Sequence, residues 1–203
     1  ALGTSPVTLK EMVAAYSSIV NLGRYVEPVM ITRIEDKNGK VLETFAASVP
    51  EAVFDGRAAQ TLRNTMRGAV DHGTATAIRT RYGIQADVAG KTGTTQDNTD
   101  GWFMLMHPRV VTGAWAGFND GRITLRSDYW GQGARSALPM VGDFMQQALR
   151  GRVINGNDRF VDEFVDAPPP PSDGSLGSMR EWIRGLFRGN APAPQQPPQP
   201  AHW

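Results

Sequence analysis

The stretch "DVAGKTGTTQDNTDGWFMLMHPRVVTGAWAGF", residues 87–118, contains three consecutive strand candidates. They are "DVAGKTGTT", "GWFMLMH" and "VVTGAWAGF". Only a short turn at Pro108-Arg109 separates the last two, which makes an antiparallel pairing the natural arrangement. Helical patterns precede these strands as far as Gly73. The sequence therefore predicts an α/β fold of the α+β kind, in which an antiparallel sheet displays the polar residues of this stretch.

The Gly-Lys-Thr at residues 90–92 admits two incompatible interpretations. A nucleotide-binding P-loop has the pattern Gly-x-x-x-x-Gly-Lys-Ser/Thr, because its first glycine lets the backbone amides curl around the phosphates. Gln85 occupies the position of that glycine. A phosphate loop also runs from a strand directly into a helix, whereas this stretch continues through Thr94-Thr95 and a polar turn into another strand. The sequence therefore excludes the nucleotide interpretation.

The second interpretation is Lys-Thr-Gly, the third motif of serine acyl-transfer enzymes that also carry Ser-x-x-Lys and Ser-Asp-Asn. Lys91 supplies a cation that attracts a substrate carboxylate and favours deprotonation of neighbouring hydroxyls. Gly93 leaves room for an extended peptide, and the Thr92 and Thr94 hydroxyls share a face on which they can hold one carboxylate. The Thr94 amide can donate to the oxyanion of a tetrahedral intermediate. We therefore predict Lys91 and Thr94 as catalytic residues, and Thr92, Gly93, Thr94 and Thr95 as substrate-binding residues.

The tripeptide alone also fits an exposed polar strand edge followed by a loop, because Lys-Thr-Gly arises by chance in about one chain in twenty of this length. Other polar residues have ordinary explanations. His72 and His107 lie near turns, where surface or capping roles are more common than catalysis or metal binding. Asp97 and Asp100 flank the polar loop after the motif, where capping of the loop is the usual role. We predict no metal site and no cofactor.

Helices and a hairpin are predicted before the sheet. Thr8 and Glu11 form a capping box for a helix whose apolar positions recur at helical spacing from Leu9 to Val20, and Gly23 is its left-handed stop. The dipeptide Asn38-Gly39 joins two β-rich runs and tolerates positive φ at both central positions of a hairpin turn.

Two more helices are predicted on either side of the sheet. Asp55 heads a helix that ends at Gly73, with an apolar stripe of Leu62, Met66 and Val70. The sequence "SALPMVGDFMQQALRG", residues 136–151, predicts a closing helix. Its apolar face consists of Leu138, Val141, Met145 and Leu149.

Globular patterns fade beyond about residue 165. Nine of the 14 prolines lie between Pro168 and Pro200, which predicts an extended, solvated segment. Within it, "MREWIRGLFR" at 179–188 is amphipathic, and both a local docking helix and plain disorder are compatible with it. We therefore predict one domain at residues 1–165 and a Pro-rich tail at 166–203.

The composition excludes several classes of protein. The 203 residues include 21 basic and 20 acidic side chains, so there is no overall basic footprint for nucleic acid. The absence of cysteine excludes a disulfide scaffold and a thiolate metal site. No apolar run approaches the roughly 20 residues that span a bilayer.

More of the sequence than the tripeptide resembles the C-terminal half of the transpeptidase domain of class A penicillin-binding proteins. The similar segments are "ALGTSPVTLKEMVAAYSSIVNLGRYVEPVMITRIEDKNGKVL", "MRGAVDHGTATAIR", "GKTGTTQDNTDGWFMLMHPRVVTGAWAGFND" and "ALPMVGDFM". They fall within about residues 1–150. "KTGTT", followed shortly by Asp and an aromatic pair, is more similar to class A than to class B enzymes or β-lactamases. The resemblance implies a largely antiparallel sheet with helices on both faces.

The resemblance also implies a peptidoglycan D,D-transpeptidase. In this family a serine attacks the D-Ala-D-Ala end of a stem peptide, releases D-alanine and passes the acyl group to a neighbouring amine. β-Lactams mimic that dipeptide and acylate the same serine. The implied partners are the peptidoglycan stem peptide and β-lactams, and the implied location is the periplasmic face of the inner membrane in a bacterial cell envelope. A non-catalytic peptide-binding relative and a D,D-carboxypeptidase are the alternatives.

The sequence departs from the family pattern because two of the three motifs are missing. None of its serines begins a Ser-x-x-Lys or a Ser-x-Asn sequence. Both motifs precede Lys-Thr-Gly in the family, so we expect the nucleophile in an upstream part of the same protein. The family's usual membrane helix and glycosyltransferase domain are expected there too. The present chain alone is then expected to be inactive, with Lys91 facing a groove that it shares with the upstream part.

Overall fold

The structure, a computed structural model, describes residues 5–120, 122–125, 127, 129–164, 175–178 and 180–181. The chain divides into two units, Ala1–Phe164 and Val165–Trp203. In the first unit the elements follow in the order α1 (Leu9–Val20), β1 (Arg24–Tyr25), β2 (Arg33–Glu35), β3 (Val41–Thr44), β4 (Glu51–Ala52), α2 (Gly56–Asp71), α3 (Ala77–Thr80), β5 (Ala89–Thr94), β6 (Asp100–His107), β7 (Val110–Gly117) and α4 (Ala137–Arg150).

A three-stranded antiparallel sheet in the order β5-β6-β7 forms the centre of the first unit. The register places Lys91 of β5 opposite Met104 of β6. The last two strands are joined by the turn at Pro108-Arg109, across which His107 pairs with Val110. The predicted strands and their antiparallel pairing are confirmed. β1 pairs with β4 and β2 with β3 in two smaller antiparallel sheets.

Side-chain alternation gives the central sheet two different faces. Phe103 and Leu105 of β6 point into a buried cluster with α4. The α4 members of that cluster are Ala137, Leu138, Val141 and Met145. Met106 points the other way, into a cluster with Ile19 of α1 and Met66 of α2. Full burial of each such side chain stabilises the fold by about 1.5–3 kcal/mol. Helices therefore pack on both faces of the sheet, as predicted.

α1 begins with the predicted capping box. Thr8 N donates to Glu11 Oε2 at 2.7 Å, and Glu11 N donates to Thr8 Oγ1 at 3.2 Å. The hydrogen bonds from Thr8 lower the pKa of the Glu11 carboxyl below its ordinary value. After the helix, Gly23 has a φ of 82°, and a Cβ there would lie 2.1 Å from the Phe54 carbonyl oxygen. Gly23 therefore permits a close approach to the chain just before α2, which no other residue type allows.

The predicted hairpin at Asn38-Gly39 forms between β2 and β3, but its turn has another geometry. Gly39 has a φ of 81°, whereas Asn38 has a negative φ. Asp36 Oδ1 accepts the amides of Asn38 at 2.8 Å and Lys40 at 3.0 Å, and Gly39 N donates to Asp36 O at 3.1 Å. The expectation of two positive φ values was therefore wrong. The Asp36 carboxylate organises a longer connection that needs only one left-handed glycine.

α2 begins at the predicted cap, Asp55, whose carboxylate accepts an amide of the first turn. Its buried face differs from the predicted stripe. Met66 and Val70 are buried, but Leu62 is 41% exposed, whereas Arg63 is only 1% exposed. The prediction for Leu62 was wrong because residues 159–164 pack against the face of α2 that carries Gln60 and Arg63 and leave Leu62 exposed.

Residues 159–164 pack against α2 through polar contacts that cross about a hundred positions of sequence. Gln60 pairs with the backbone of Phe164, since Nε2 donates to the carbonyl at 2.5 Å and Oε1 accepts the amide at 2.9 Å. Arg63 donates to a carbonyl of the segment at 2.9 Å, and its guanidinium lies 4.7 Å from the centre of the Phe160 ring. The segment therefore supplies acceptors to the Nη2 group of a buried arginine, whereas the buried Nε of Arg63 has no hydrogen-bond partner among the described residues.

Two further details concern residues near the ends of helices. Leu9 is 39% exposed, and the buried residues of α1 are Ala14, Ser18 and Ile19. Gly73 does not have a left-handed φ; a Cβ there would instead lie 2.8 Å from Ala69 Cα in the last turn of α2. α2 ends at Asp71, two positions before Gly73, so the predicted stop lies just past the helix, and Gly73 serves close packing there.

The assignment of residues 1–165 and 166–203 to a domain and a tail stays a prediction. Within the predicted amphipathic segment at 179–188, Arg180 and Glu181 are helical, and the remainder of that segment lies outside the described residues. In the parts of the chain that the structure describes, no helix combines the length and the apolar character that crossing a membrane requires.

Candidate functional site

β5 is one of the two edge strands of the central sheet in the described part of the chain, and it carries the predicted site residues Lys91 to Thr94, with Thr95 directly after it. Thr95 N donates to Asp100 O at 3.1 Å, so Thr95 and every second residue before it along β5 face β6 with their backbone hydrogen-bonding groups. Because the backbone groups of an antiparallel strand alternate in direction, those of Thr92 and Thr94 point away from β6. Among the residues that the structure describes, no strand pairs with that side of β5. β5 therefore has an open edge along the motif.

The start of β5 is anchored to α2 by a paired carboxylate. Asp87 accepts two hydrogen bonds from Arg67, at 2.9 and 2.8 Å, and a third from Phe160 N at 3.0 Å. Burial alone would raise the pKa of the Asp87 carboxyl, but the hydrogen bonds from Arg67 and Phe160 outweigh it and lower that pKa below its ordinary value. The motif strand is thus fixed at its start by a bidentate ion pair between Arg67 and Asp87.

The Lys91 side chain is exposed, and its Nζ donates to the carbonyl oxygen of Thr92. The register places Lys91 and Gly93 on the sheet face opposite to that of Thr92 and Thr94. Since the Thr92 carbonyl points to the open edge, this contact brings the ammonium to the same edge. A positive charge therefore lies at the edge of β5 where no described strand pairs with the motif.

The Thr92 and Thr94 hydroxyls are each held by a segment outside the sheet. Thr92 Oγ1 lies 2.7 Å from Thr74 Oγ1, in the loop after α2. Thr94 Oγ1 accepts a hydrogen bond from Gly133 N at 3.1 Å, in the loop before α4. Because Thr94 acts as the acceptor, its own hydroxyl proton is not used in that bond. The loop after α2 thus positions the Thr92 hydroxyl, and the loop before α4 positions the Thr94 hydroxyl.

Glycines allow the loop at residues 129–136 to approach the motif closely. A Cβ on Gly133 would lie 2.2 Å from Trp102 O and 2.4 Å from Gly93 O. A Cβ on Gly93 would lie 3.1 Å from Trp102 Cβ. The carbonyl of Gly133 also accepts the amides of Ala137 and Leu138 at 3.1 and 2.9 Å. Gly133 therefore connects the motif strand to the first turn of α4.

Thr95 and Asp100 close the turn between β5 and β6. Asp100 N donates to Thr95 Oγ1 at 2.8 Å, and Asp100 Oδ2 accepts from Thr99 Oγ1 at 3.1 Å. Its other oxygen accepts Trp115 Nε1 at 2.7 Å. Asp97 lies at the exposed tip of the turn with a φ of 59°. These contacts agree with the loop-capping role predicted for Asp100, and they place the Thr95 hydroxyl inside the turn.

Sequence reasoning missed Thr74 and Gly133 as neighbours of the motif. Thr74 lies in "HGTAT", part of a segment that is similar to the family, but no spacing rule connects it to Lys91. Gly133 lies in the glycine-rich "YWGQGARS", whose composition indicates close packing without naming the partner. Both contacts depend on how the loops fold back onto β5.

The motif lies on an open surface of the chain. Grooves are formed between the end of α1 and residues 159–164, and between Tyr82 and α4, but no motif residue lines either of them. The expectation that Lys91 faces a shared groove therefore stays a prediction. In the described part of the chain, no group of three or more His, Cys, Asp or Glu side chains is arranged to hold a metal ion.

His107 is fully buried at the end of β6, so the expected surface role was wrong, while the capping role is correct. Its Nδ1 accepts the amide of Arg109 at 3.2 Å, within the β6–β7 turn. Burial lowers the pKa of the His107 imidazole below its ordinary value, although Asp158, Asp87 and the backbone of Asn155 act in the opposite direction. The folded state therefore favours the neutral imidazole.

Acidification should open the region around His107. Because its folded pKa is depressed, the unfolded region binds a proton that the folded region does not. Stability is then lost as the pH falls below the ordinary histidine value of about 6.5 and through the lowered pKa. The protection factors of amides in residues 105–111, which correct for the pH dependence of intrinsic exchange, should fall over that range. His107→Asn keeps an acceptor for the Arg109 amide but removes the titrating imidazole, so local stability should depend less on pH. His72→Asn, at an exposed position, should leave the pH dependence unchanged.

Comparisons with known proteins agree with one another. The family model described as "Penicillin binding protein transpeptidase domain" matches residues 1–109. Penicillin-binding protein 1A of Aquifex aeolicus is 39% identical over 152 residues, which cover 74% of this chain and 20% of that protein. Penicillin-binding protein 1A of Neisseria lactamica is 36% identical over 161 residues, covering 77% of this chain and 19% of that protein. The chain thus spans about a fifth of the length of these curated relatives.

A solved structure has the same fold. The crystal structure of penicillin-binding protein 1A from Haemophilus influenzae superposes with a TM-score of 0.65 at 24% identity, covering 81% of this chain and 28% of that one. This likeness concerns the arrangement of helices and strands.

Proposed function

The chain belongs to the penicillin-binding protein transpeptidase domain family, and from that premise we propose that β5 forms one wall of a site that cross-links peptidoglycan by serine acyl transfer. The proposed substrate is the D-Ala-D-Ala end of a stem peptide. A serine oxygen attacks the carbonyl carbon of the penultimate D-alanine, and the bond to the terminal D-alanine breaks. The departing amine takes a proton, and an acceptor amine from a neighbouring strand then displaces the serine.

Each motif residue has a proposed part in this reaction. Lys91 attracts the terminal carboxylate and favours the deprotonated forms of nearby hydroxyls. The Thr92 and Thr94 hydroxyls hold the carboxylate, and Gly93 lets the extended peptide approach the strand. The Thr94 amide, which points away from β6, donates to the oxyanion that develops on the attacked carbonyl.

The observation that carries the proposal is the open edge of β5. Backbone groups that pair with no described strand, an ammonium and two hydroxyls lie together along four consecutive residues, Lys91 to Thr94. An extended peptide can add to such an edge through main-chain hydrogen bonds, while the charged group recognises its end. A peptide that ends in a carboxylate matches these groups.

We propose that the nucleophile comes from a part of the complete protein outside residues 1–203. This follows from the motif pattern, since no Ser-x-x-Lys or Ser-x-Asn occurs in the sequence. In this proposal the chain alone is inactive, and the complete protein is a class A enzyme with a glycosyltransferase domain. It works at the periplasmic face of the inner membrane and binds β-lactams. The PonA1 protein of Mycobacterium tuberculosis, which has the same fold with a TM-score of 0.62, was solved with penicillin V.

Covalent labelling by a fluorescent penicillin tests this function. The complete protein should be labelled at a serine upstream of this chain, and the chain alone should not be labelled. Stable non-covalent binding without labelling would identify a non-catalytic relative instead. A D,D-carboxypeptidase or a β-lactamase would hydrolyse the acyl-enzyme faster than it transfers the acyl group to an added amine.

A further inference from the structure

We propose that Thr74 is a positioning residue that selects for a free carboxylate on the substrate by orienting the Thr92 hydroxyl. This inference rests on the proposed function and concerns a residue outside the motif. The contact that carries it joins Thr74 Oγ1 and Thr92 Oγ1, which are 2.7 Å apart at the surface.

Thr74 is held in place by its two neighbours. Gly73 lies so close to α2 that a Cβ there would be 2.8 Å from Ala69 Cα. Ala75 is fully buried, and its amide donates to Ala69 O at 3.0 Å. Between these two anchored residues, the Thr74 side chain is exposed and directed to the motif strand. The loop thus fixes its hydroxyl before a substrate arrives.

The hydroxyl pair imposes a direction on the hydrogen bonds. Each threonine hydroxyl has a single proton to donate and two lone pairs that accept. If Thr92 donates to Thr74, its proton is not available to a substrate. If Thr74 donates to Thr92, the Thr92 proton is free to bind an ionised carboxylate, which only accepts hydrogen bonds. A bound carboxylate therefore requires Thr74 as the donor, and the resulting chain of two hydrogen bonds strengthens each of them.

The consequence is a specificity for one chemical class of ligand. A substrate with a free carboxylate beside Thr92 gains from the Thr74 hydroxyl. A substrate in which that carboxylate is esterified has lost the negative charge that the chain of donors recognises. Loss of the Thr74 hydroxyl should therefore reduce the preference for the free acid over the ester, rather than reactivity in general.

The test compares acylation of the complete protein by a penicillin and by its methyl ester. Thr74→Val keeps the shape of the side chain and removes the hydroxyl. We expect it to lower the ratio of the free-acid rate to the ester rate by about tenfold, which corresponds to about 1.4 kcal/mol. Thr74→Ser should restore the ratio of the wild type. Thr80→Val, whose lost hydroxyl donates to Thr76 O at the start of its own helix, is the matched control.

The outcomes separate this inference from the function on which it rests. An unchanged ratio in Thr74→Val, or an equal decrease of both rates, would overturn the positioning role. The effect should also disappear in a Thr92→Val background, and its persistence there would contradict the proposed relay. Failure of the wild-type protein to react with the penicillin at all would instead overturn the proposed function.

Discussion

Replacing Lys91 with alanine in the complete protein should slow covalent labelling by a penicillin about a hundredfold or more, a loss of about 2.7 kcal/mol of transition-state stabilisation. The ammonium lies at the open edge of β5, against the Thr92 carbonyl. Alanine removes the charge that attracts the ligand carboxylate and favours deprotonation of nearby hydroxyls. Time courses of labelling at several penicillin concentrations measure both binding and acylation.

Controls for Lys91 separate local from general effects of charge. Lys37→Ala removes an exposed lysine from the β2–β3 turn and should leave the labelling rate unchanged. Lys91→Arg keeps the charge but replaces a compact ammonium with a planar guanidinium. Its labelling rate should therefore lie between those of the wild type and Lys91→Ala. Labelling of Lys91→Ala at the wild-type rate would show that Lys91 has no part in the site.

Gly133→Ala should both destabilise the domain and impair the site, because a single methyl group meets three backbone atoms there. The new Cβ would lie 2.2 Å from Trp102 O, 2.4 Å from Gly93 O and 2.8 Å from Trp102 N. Backbone cannot rotate away as a side chain can, so the loop must move off the motif strand. We expect a loss of about 3 kcal/mol or more in unfolding free energy. Chemical denaturation of the complete protein measures the unfolding free energy. Hydrogen exchange of residues 89–103 measures how far the structure opens locally around the motif.

Gly68→Ala is the matched control for this substitution. Gly68 lies inside α2, where a Cβ would meet no atom within 4 Å apart from its chain neighbours and the adjacent backbone of its own helix. Alanine there should raise stability by about 0.5–1 kcal/mol, because glycine loses more conformational freedom in a helix. If Gly133→Ala were as harmless as Gly68→Ala, the close approach of the loop to β5 would be contradicted. A fall in labelling only in Gly133→Ala would link that approach to the site.

The two substitutions act on different parts of the same edge. Lys91 contributes charge, which can be removed without disturbing the packing of the sheet because the side chain is exposed. Gly133 has no side chain, so its backbone can approach the motif closely, and its amide donates a hydrogen bond to Thr94 Oγ1. We therefore expect Lys91→Ala to fold normally and react slowly, whereas Gly133→Ala should lose folded structure around the motif as well.

Local patterns predicted the elements that depend on neighbouring residues. The capping box of Thr8 and Glu11, the cap at Asp55 and the period-two strands of residues 87–118 act over a few positions, and the structure contains each of them. The turn at Asn38-Gly39 was placed correctly, but its geometry depends on the Asp36 carboxylate, which a dipeptide rule does not consider.

Long-range contacts account for what was not predicted. Arg63 is buried rather than Leu62 because residues 159–164 return to α2 and supply two acceptors to the Arg63 Nη2 group. His107 is buried because the residues around Asn155 and Asp158 fold over the end of β6. Periodicity records which face of a helix is apolar, but it contains no information on a segment that arrives from far along the chain.

The sequence by itself determined the antiparallel strands, the edge that carries Lys91 to Thr94 and the family to which the chain is similar, since these follow from alternation, turns and motif residues within a short window. Only the tertiary structure decided that Thr74 and Gly133 hold the two motif hydroxyls, and that Lys91 reaches the open edge. The physical reason is that a hydrogen bond depends on distance and direction in space. Segments 18 and 39 positions away satisfy these requirements only after the loops have packed onto the sheet.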